Sequence, residues 1–151
     1  MEIKEAKPLT TLAFSTRTTL KELGPFVRNV ARDLYREAVR LDLEITGPIV
    51  WQYDGVDGKP DTVFGLDIVL PIQAFQGQPA DGMAFKALEG WRCAYTEHDG
   101  SWDKLMATYG PFMGALVQGG YQICSLNREA YVNVDFENPA NNVTQIYRQI
   151  L

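Results

Sequence analysis

A glutamate and a tyrosine two residues apart are the first feature of this chain with chemistry in them. In "NREAYVNVD", residues 127 to 135, apolar and polar residues alternate as on a half-buried strand. Ala130, Val132 and Val134 share one face, and Glu129, Tyr131 and Asn133 the other. A carboxylate beside an aromatic ring draws a cation while the ring stacks on the cation's apolar body. A buried carboxylate can also act as a general base towards water. The alternation by itself is equally that of a strand whose outer face is wet, with Glu129 in solvent.

Other rings and one further acid stand where they can join this pair. Trp51 lies 80 residues before Tyr131, and Asp67 lies 78 before Gln145. Asp67 interrupts the apolar run "VFGLDIVLPI", where a charge must be paired, hydrogen-bonded or turned to a wet cavity. Trp102, Met106, Tyr109 and Met113 recur at helical spacing, and such a stripe either walls a cleft or is the helix's core face. Tyr147 adds another ring near the end of the chain. The face of Ile49, Trp51 and Tyr53 is too apolar for open water.

Several chemistries are not expected. His98 is the only histidine, and between Glu97 and Asp99 it reads as a surface turn before a helix, with no triad pattern around it. Cys93 and Cys124 lack metal-ligand spacing and read as two buried free thiols. No phosphate loop or dinucleotide fingerprint occurs, so neither metal nor cofactor is expected. A formal net charge of -5 disfavours nucleic acid as a partner. No apolar run approaches the roughly 18 to 20 residues of a membrane span, and "MEIKEAKPLTTLAF" lacks the apolar core of a secretion signal. The expected location is the cytoplasm.

The elements that must hold these residues follow from periodicity. At 151 residues, 46% hydrophobic and 22% charged, the chain reads as one folded domain. "QGQPADGM" (76 to 83) divides it into pseudo-repeats of about 8–75 and 84–151, each a strand, a helix and a hairpin. In the first, a strand over 10–15 and a helix over 24–43 precede strands at 47–54 and 62–72. In the second, a strand over 90–97 and a helix from Ser101 to about Gln118, bent near Gly110 by Pro111, precede a hairpin around "FENPANN". Two βαββ units imply an α+β fold: one antiparallel sheet, two helices, and a ligand cleft between them.

With these elements in order, several phrases form a recognisable set. "EHDGSWDKL" (97 to 105), "LEITGPIVWQYD" (43 to 54), "DIVLPI" (67 to 72) and "TQIYRQI" (144 to 150) together resemble the GyrI-like effector-binding domain family. The resemblance implies a tandem SHS2-type fold, as found in multidrug-responsive transcription regulators. It places Glu129 at the family's pocket carboxylate; the repeat offsets and the helical stripe supply Tyr131, Trp51, Trp102, Met106, Tyr109 and Tyr147 as candidate walls and Asp67 as a second pocket candidate. The chain departs from the family at Arg148 and Gln149, where an aromatic or aliphatic residue and a proline are usual.

The implied function is binding of a small lipophilic or cationic aromatic ligand. No helix-turn-helix is expected before Pro8 or after Leu151, so direct operator binding is not. Two alternatives stay open: a hydrolase with Glu129 as general base, and a gyrase-inhibitor-like protein acting through a protein partner. Oligomeric state is not legible in the sequence.

Overall fold

Both expected helices and both hairpins form, and each half of the chain begins with one strand more than its hydrophobic pattern suggests. The computed structural model describes residues 1–151. The first half runs β1 (Glu2–Ala6), β2 (Leu9–Thr18), α1 (Asn29–Arg40), β3 (Val50–Asp54) and β4 (Phe64–Pro71). The second repeats the order with β5 (Ala84–Leu88), β6 (Trp91–Asp99), α2 (Leu105–Gln118), β7 (Ile123–Asn133) and β8 (Val143–Ile150). All eight strands make one antiparallel sheet in the order β1-β6-β8-β7-β3-β4-β2-β5.

This order dictates the shape of the sheet. β1 and β2 are six strand-to-strand steps apart yet joined by Lys7 and Pro8 alone. A flat sheet would separate them by roughly 29 Å, at about 4.8 Å per step, whereas Ala6 to Leu9 spans roughly 11 Å at most. β5 and β6, joined by Glu89 and Gly90, pose the same problem. The sheet therefore curls, and both links cross its concave face. Each half thereby lends its first strand to the other half's edge. The links touch: a Cβ on Gly90 would lie 2.7 Å from the Ala6 carbonyl oxygen.

The helices cover the convex face, each over its own core. Leu34 and Ala38 of α1 pack on Leu12, Leu66, Ile68 and Leu70, and Phe112 and Leu116 of α2 pack on Ala94, Ile146 and Ile150. α1 is shorter than its stripe predicts. Gly24–Phe26 forms a separate 3-10 turn, and Arg28, at φ 70, closes a γ-turn in which the Asn29 N–H donates to the Val27 carbonyl at 2.8 Å. α2 continues across Pro111.

Both helices end in the same way. The Leu43 N–H donates to the Ala38 carbonyl and the Asp42 N–H to that of Val39; Tyr121 to Leu116 and Gly120 to Val117 repeat the pattern. Asp42 sits at φ 55 where Gly120 sits at φ 73. The segment 76–83 is tied to α1 by the Ala80 N–H on the Glu37 carboxylate and by Arg40 donating to the Gln78 carbonyl at 3.0 Å. No helix is long and apolar enough to cross a membrane. Of the cysteines, Cys93 is buried as expected, but Cys124 is partly exposed near the start of β7.

Candidate ligand-binding site

β3 and β7, one strand from each half, lie side by side at the middle of the sheet, and the gap between the two helices opens above them. Trp51 stands directly across from Glu129 and Tyr53 across from Asn127. Alternation puts Trp51, Tyr53, Asn127, Glu129 and Tyr131 on the convex, helix-bearing face. Above them lies a cavity of about 810 Å³, lined by Phe26 and Tyr35 from the α1 side and by Trp102, Leu105 and Phe136 from the second half. Fourteen of its 20 lining residues are hydrophobic, which leaves Glu129 as the carboxylate at an apolar floor.

Glu129 is 5% exposed and has no cationic partner. Three phenols hold it instead. Tyr131 and Tyr53 donate to Oε1 at 2.7 and 3.1 Å, and Tyr109 donates to Oε2 at 2.5 Å. Asn127 Nδ2 in turn donates to the Tyr109 oxygen at 2.8 Å, orienting that hydroxyl towards the carboxylate. Burial first, and the Glu129 charge second, push all three phenols well above their ordinary value of 10.0. They remain protonated donors. A carboxylate has about four lone-pair directions, so three donors leave one, on Oε2.

The rings form a continuous wall. Trp51 meets Tyr131 edge-on at 5.9 Å, Tyr131 meets Trp102 at 5.4 Å, and Trp102 meets Phe136 at 6.1 Å between centroids. Trp102 is fixed by its Nε1–H, which donates to Thr144 Oγ1 at 3.2 Å. A flat or globular aromatic body of drug size fits such a space.

Of the residues singled out in sequence, Glu129, Tyr131, Trp51 and Trp102 come together in this cavity, with Tyr109 beneath the carboxylate. Met106 does not: it is 70% exposed, because the apolar stripe of α2 is broader than its core face, which runs through Leu105, Tyr109, Phe112, Met113 and Leu116. Asp67 and Tyr147 lie on the concave face. Asp67 pairs in register with Gln52 and bonds to Lys86 at 2.9 Å; Tyr147 pairs with Arg128. His98 is 4% exposed rather than on the surface. Its Nε2–H faces the Ser101 carbonyl at 2.8 Å and its Nδ1 faces the Thr108 hydroxyl at 2.7 Å, tying the turn to α2.

Tyr53 and Asn127 join the site in addition to the residues the sequence singles out. Tyr53 alternates with Trp51, and Asn127 with Glu129, so period two was the signal that carried both. No group of three or more His, Cys, Asp or Glu side chains is placed to hold a metal ion.

The model of the GyrI-like small molecule binding domain matches residues 1–151. No curated protein matches. The solved C-terminal domain of EcmrR superposes with a TM-score of 0.79 at 16% identity, covering 99% of this chain and 96% of that one. Against the EcmrR chain in its DNA complex the TM-score is 0.80 at 17% identity, and this chain covers only 56% of that one. SAV2435 bound to tetraphenylphosphonium superposes at 0.63 with 12% identity, covering 99% and 93%. A hydrolase from Listeria innocua does so at 0.65 with 13% identity, covering 99% and 92%. At these identities the structures establish the shared fold.

Proposed function

The chain belongs to the GyrI-like small-molecule binding domain family, and from that premise we propose that it binds a lipophilic aromatic cation in the cleft between its helices, as an effector-sensing or sequestering module. The observation that carries this reading is Glu129: a carboxylate 5% exposed, held by three neutral phenols at the floor of an aromatic cavity. Hydrogen bonds from neutral donors stabilise the charge without cancelling it. The charge therefore remains available to a bound cation, in a setting where water screens it little.

Trp51, Tyr131 and Trp102 add cation–π attraction and stack on the ligand's body. That SAV2435, of the same fold, was solved with tetraphenylphosphonium supports a delocalised cation as the first probe.

The test is thermal stabilisation by tetraphenylphosphonium and by methyltriphenylphosphonium, the latter compared with neutral triphenylphosphine oxide, which matches it in bulk and in number of rings. At a hundredfold excess over the dissociation constant a binder gains about 2.7 kcal/mol. Both cations should stabilise the wild type more than the neutral compound, and Glu129→Gln should remove that preference. Equal responses in both proteins would reject Glu129 as the cation's partner.

The likeness to the Listeria innocua hydrolase and the free lone pair on Glu129 Oε2 favour one second reading. A water there would give its proton to Oε2 as its oxygen bonds to an electrophilic carbon of a ligand held against the rings; the bond from that carbon to its leaving atom breaks, and the protonated Oε2 passes the proton to that atom. Catalytic consumption of a reactive electrophile, abolished in Glu129→Gln with ligand binding retained, separates this reading from simple binding.

A further inference from the structure

One cavity of the concave face, of about 290 Å³, has a chemistry opposite to that of the cleft. Three cationic side chains, Lys4, Lys7 and Arg128, line it against one carboxylate, Glu5, in a protein whose net charge is -5. None of the three takes part in any of the four ion pairs of the structure. Arg128 is the central group. It is 3% exposed, and burying a guanidinium without a counter-charge is costly.

Neutral acceptors satisfy most of Arg128. Nε and Nη2 donate to Gln52 Oε1 at 2.9 and 2.8 Å, Nη1 to the Lys7 carbonyl at 2.8 Å, and Nη2 to the Glu89 carbonyl at 3.2 Å. That engages four of the five N–H groups of a guanidinium and leaves one on Nη1. Lys4 Nζ lies 4.2 Å from the centroid of Tyr95 and 5.8 Å from that of Tyr147. Tyr147, a further lining residue, offers a hydroxyl that presently donates to Gln145 Oε1 at 3.1 Å. Val50, Ala130 and Pro71 supply an apolar side.

We propose that this cavity is a second ligand site, for a small organic oxyanion, held by the free N–H of Arg128 and by Lys4 and Lys7. The size admits a compact carboxylate or phosphate monoester but not a drug-sized aromatic. The charge and the fixed guanidinium select for an oxyanion over a neutral molecule. The two sites share walls, since Gly47, Pro48 and Gln145 line both cavities. The proposal is independent of the cation reading of the cleft.

The full chain would be titrated with sodium benzoate and with sodium phosphate against sodium chloride at equal ionic strength, following melting temperature and the NMR signal of the Arg128 Nε–H. That signal is assigned through Arg128→Lys. A saturable rise in melting temperature with movement of the signal is expected, for benzoate if the site prefers carboxylates and for phosphate if it prefers phosphoryl groups. The Lys4→Ala, Lys7→Ala double variant, which keeps the Lys7 carbonyl and so the Arg128 bond, should bind about tenfold or more weakly. Responses no larger than with chloride overturn the proposal. So does an unchanged affinity in a double variant whose near-UV circular dichroism is native.

Discussion

Arg128 and Glu129 are consecutive residues of β7, exposed by only 3% and 5%, and they leave the strand on opposite faces. Neither is neutralised by an ion pair. The arginine is held by carbonyl oxygens and the glutamate by phenols, so the midline of the sheet carries a positive charge towards the concave side and a negative one towards the helices. Each face owes its buried charge to one residue, and a strand's period of two separates them.

The phenols should matter individually and together. Tyr109→Phe removes the only donor on Glu129 Oε2, leaves Asn127 Nδ2 facing a ring, and so should cost about 1–3 kcal/mol in urea unfolding. Tyr131→Phe and Tyr53→Phe each leave Oε1 one donor and should cost less. The triple variant should lose more than the sum, because the carboxylate is then buried unsatisfied. A triple variant as stable as wild type would refute the view that these hydroxyls hold the charge.

The crossing links offer a second handle. Arg128→Met deprives the Lys7 and Glu89 carbonyls and Gln52 Oε1 of their donor on the concave face, and a loss of about 3 kcal/mol or more is expected. Gly90→Ala brings a Cβ to 2.7 Å from the Ala6 carbonyl oxygen and should cost about 1–3 kcal/mol by forcing the links apart. Both should raise hydrogen exchange at β1 and β5, the strands that depend on the links. Exchange confined to the helices would argue against this account.

What the sequence made legible, and what it hid, divides along these lines. Glu129 with Tyr131, and Trp51 with Tyr53, declared themselves through alternation, since β3 and β7 bear polar or aromatic residues on one face at every second position. β4 gave no such help: Leu66, Ile68, Val69 and Leu70 are all buried, so nothing in the pattern showed that Asp67 points away from the cleft. β1 and β5 are short edge strands with charged or exposed residues, "EIKEA" and "AFKAL", and edge strands need no apolar alternation. Their exchange between halves depends on pairing across the chain, which local pattern does not contain. Met106 and Tyr109 share one helical stripe, and only the packing of α2 decided which of them turns inward.

The matched helix ends predict opposite responses. Asp42 holds φ 55, a left-handed conformation that costs a residue with a Cβ roughly 1 kcal/mol, so Asp42→Gly should stabilise by up to about that amount, less the chain entropy of glycine. Gly120, at φ 73 in the same position after α2, should lose about 1 kcal/mol on replacement by Ala. Denaturant midpoints measure both. A destabilised Asp42→Gly would mean that the carboxylate does more there than tolerate the turn.

Acid sensitivity should be traceable to Glu37. Its carboxylate is 6% exposed, receives Arg40 on both oxygens and the Ala80 N–H, and is thereby held below its ordinary value of 4.5, with the Arg40 hydrogen bond the largest cause. A depressed carboxyl contributes stability that is present above the unfolded value and lost as pH falls through the folded one. The contribution of Glu37 is therefore complete at neutral pH, begins to fall near 4.5 and is lost as pH drops through the lowered folded value. Glu37→Gln should accordingly lower stability at pH 7, lower it less at pH 3, and flatten the dependence between them. It should also loosen residues 76–83, whose amides would exchange faster at pH 7 than in wild type. A variant that loses equally at both pH values would show that Glu37 acts through packing and not through its charge.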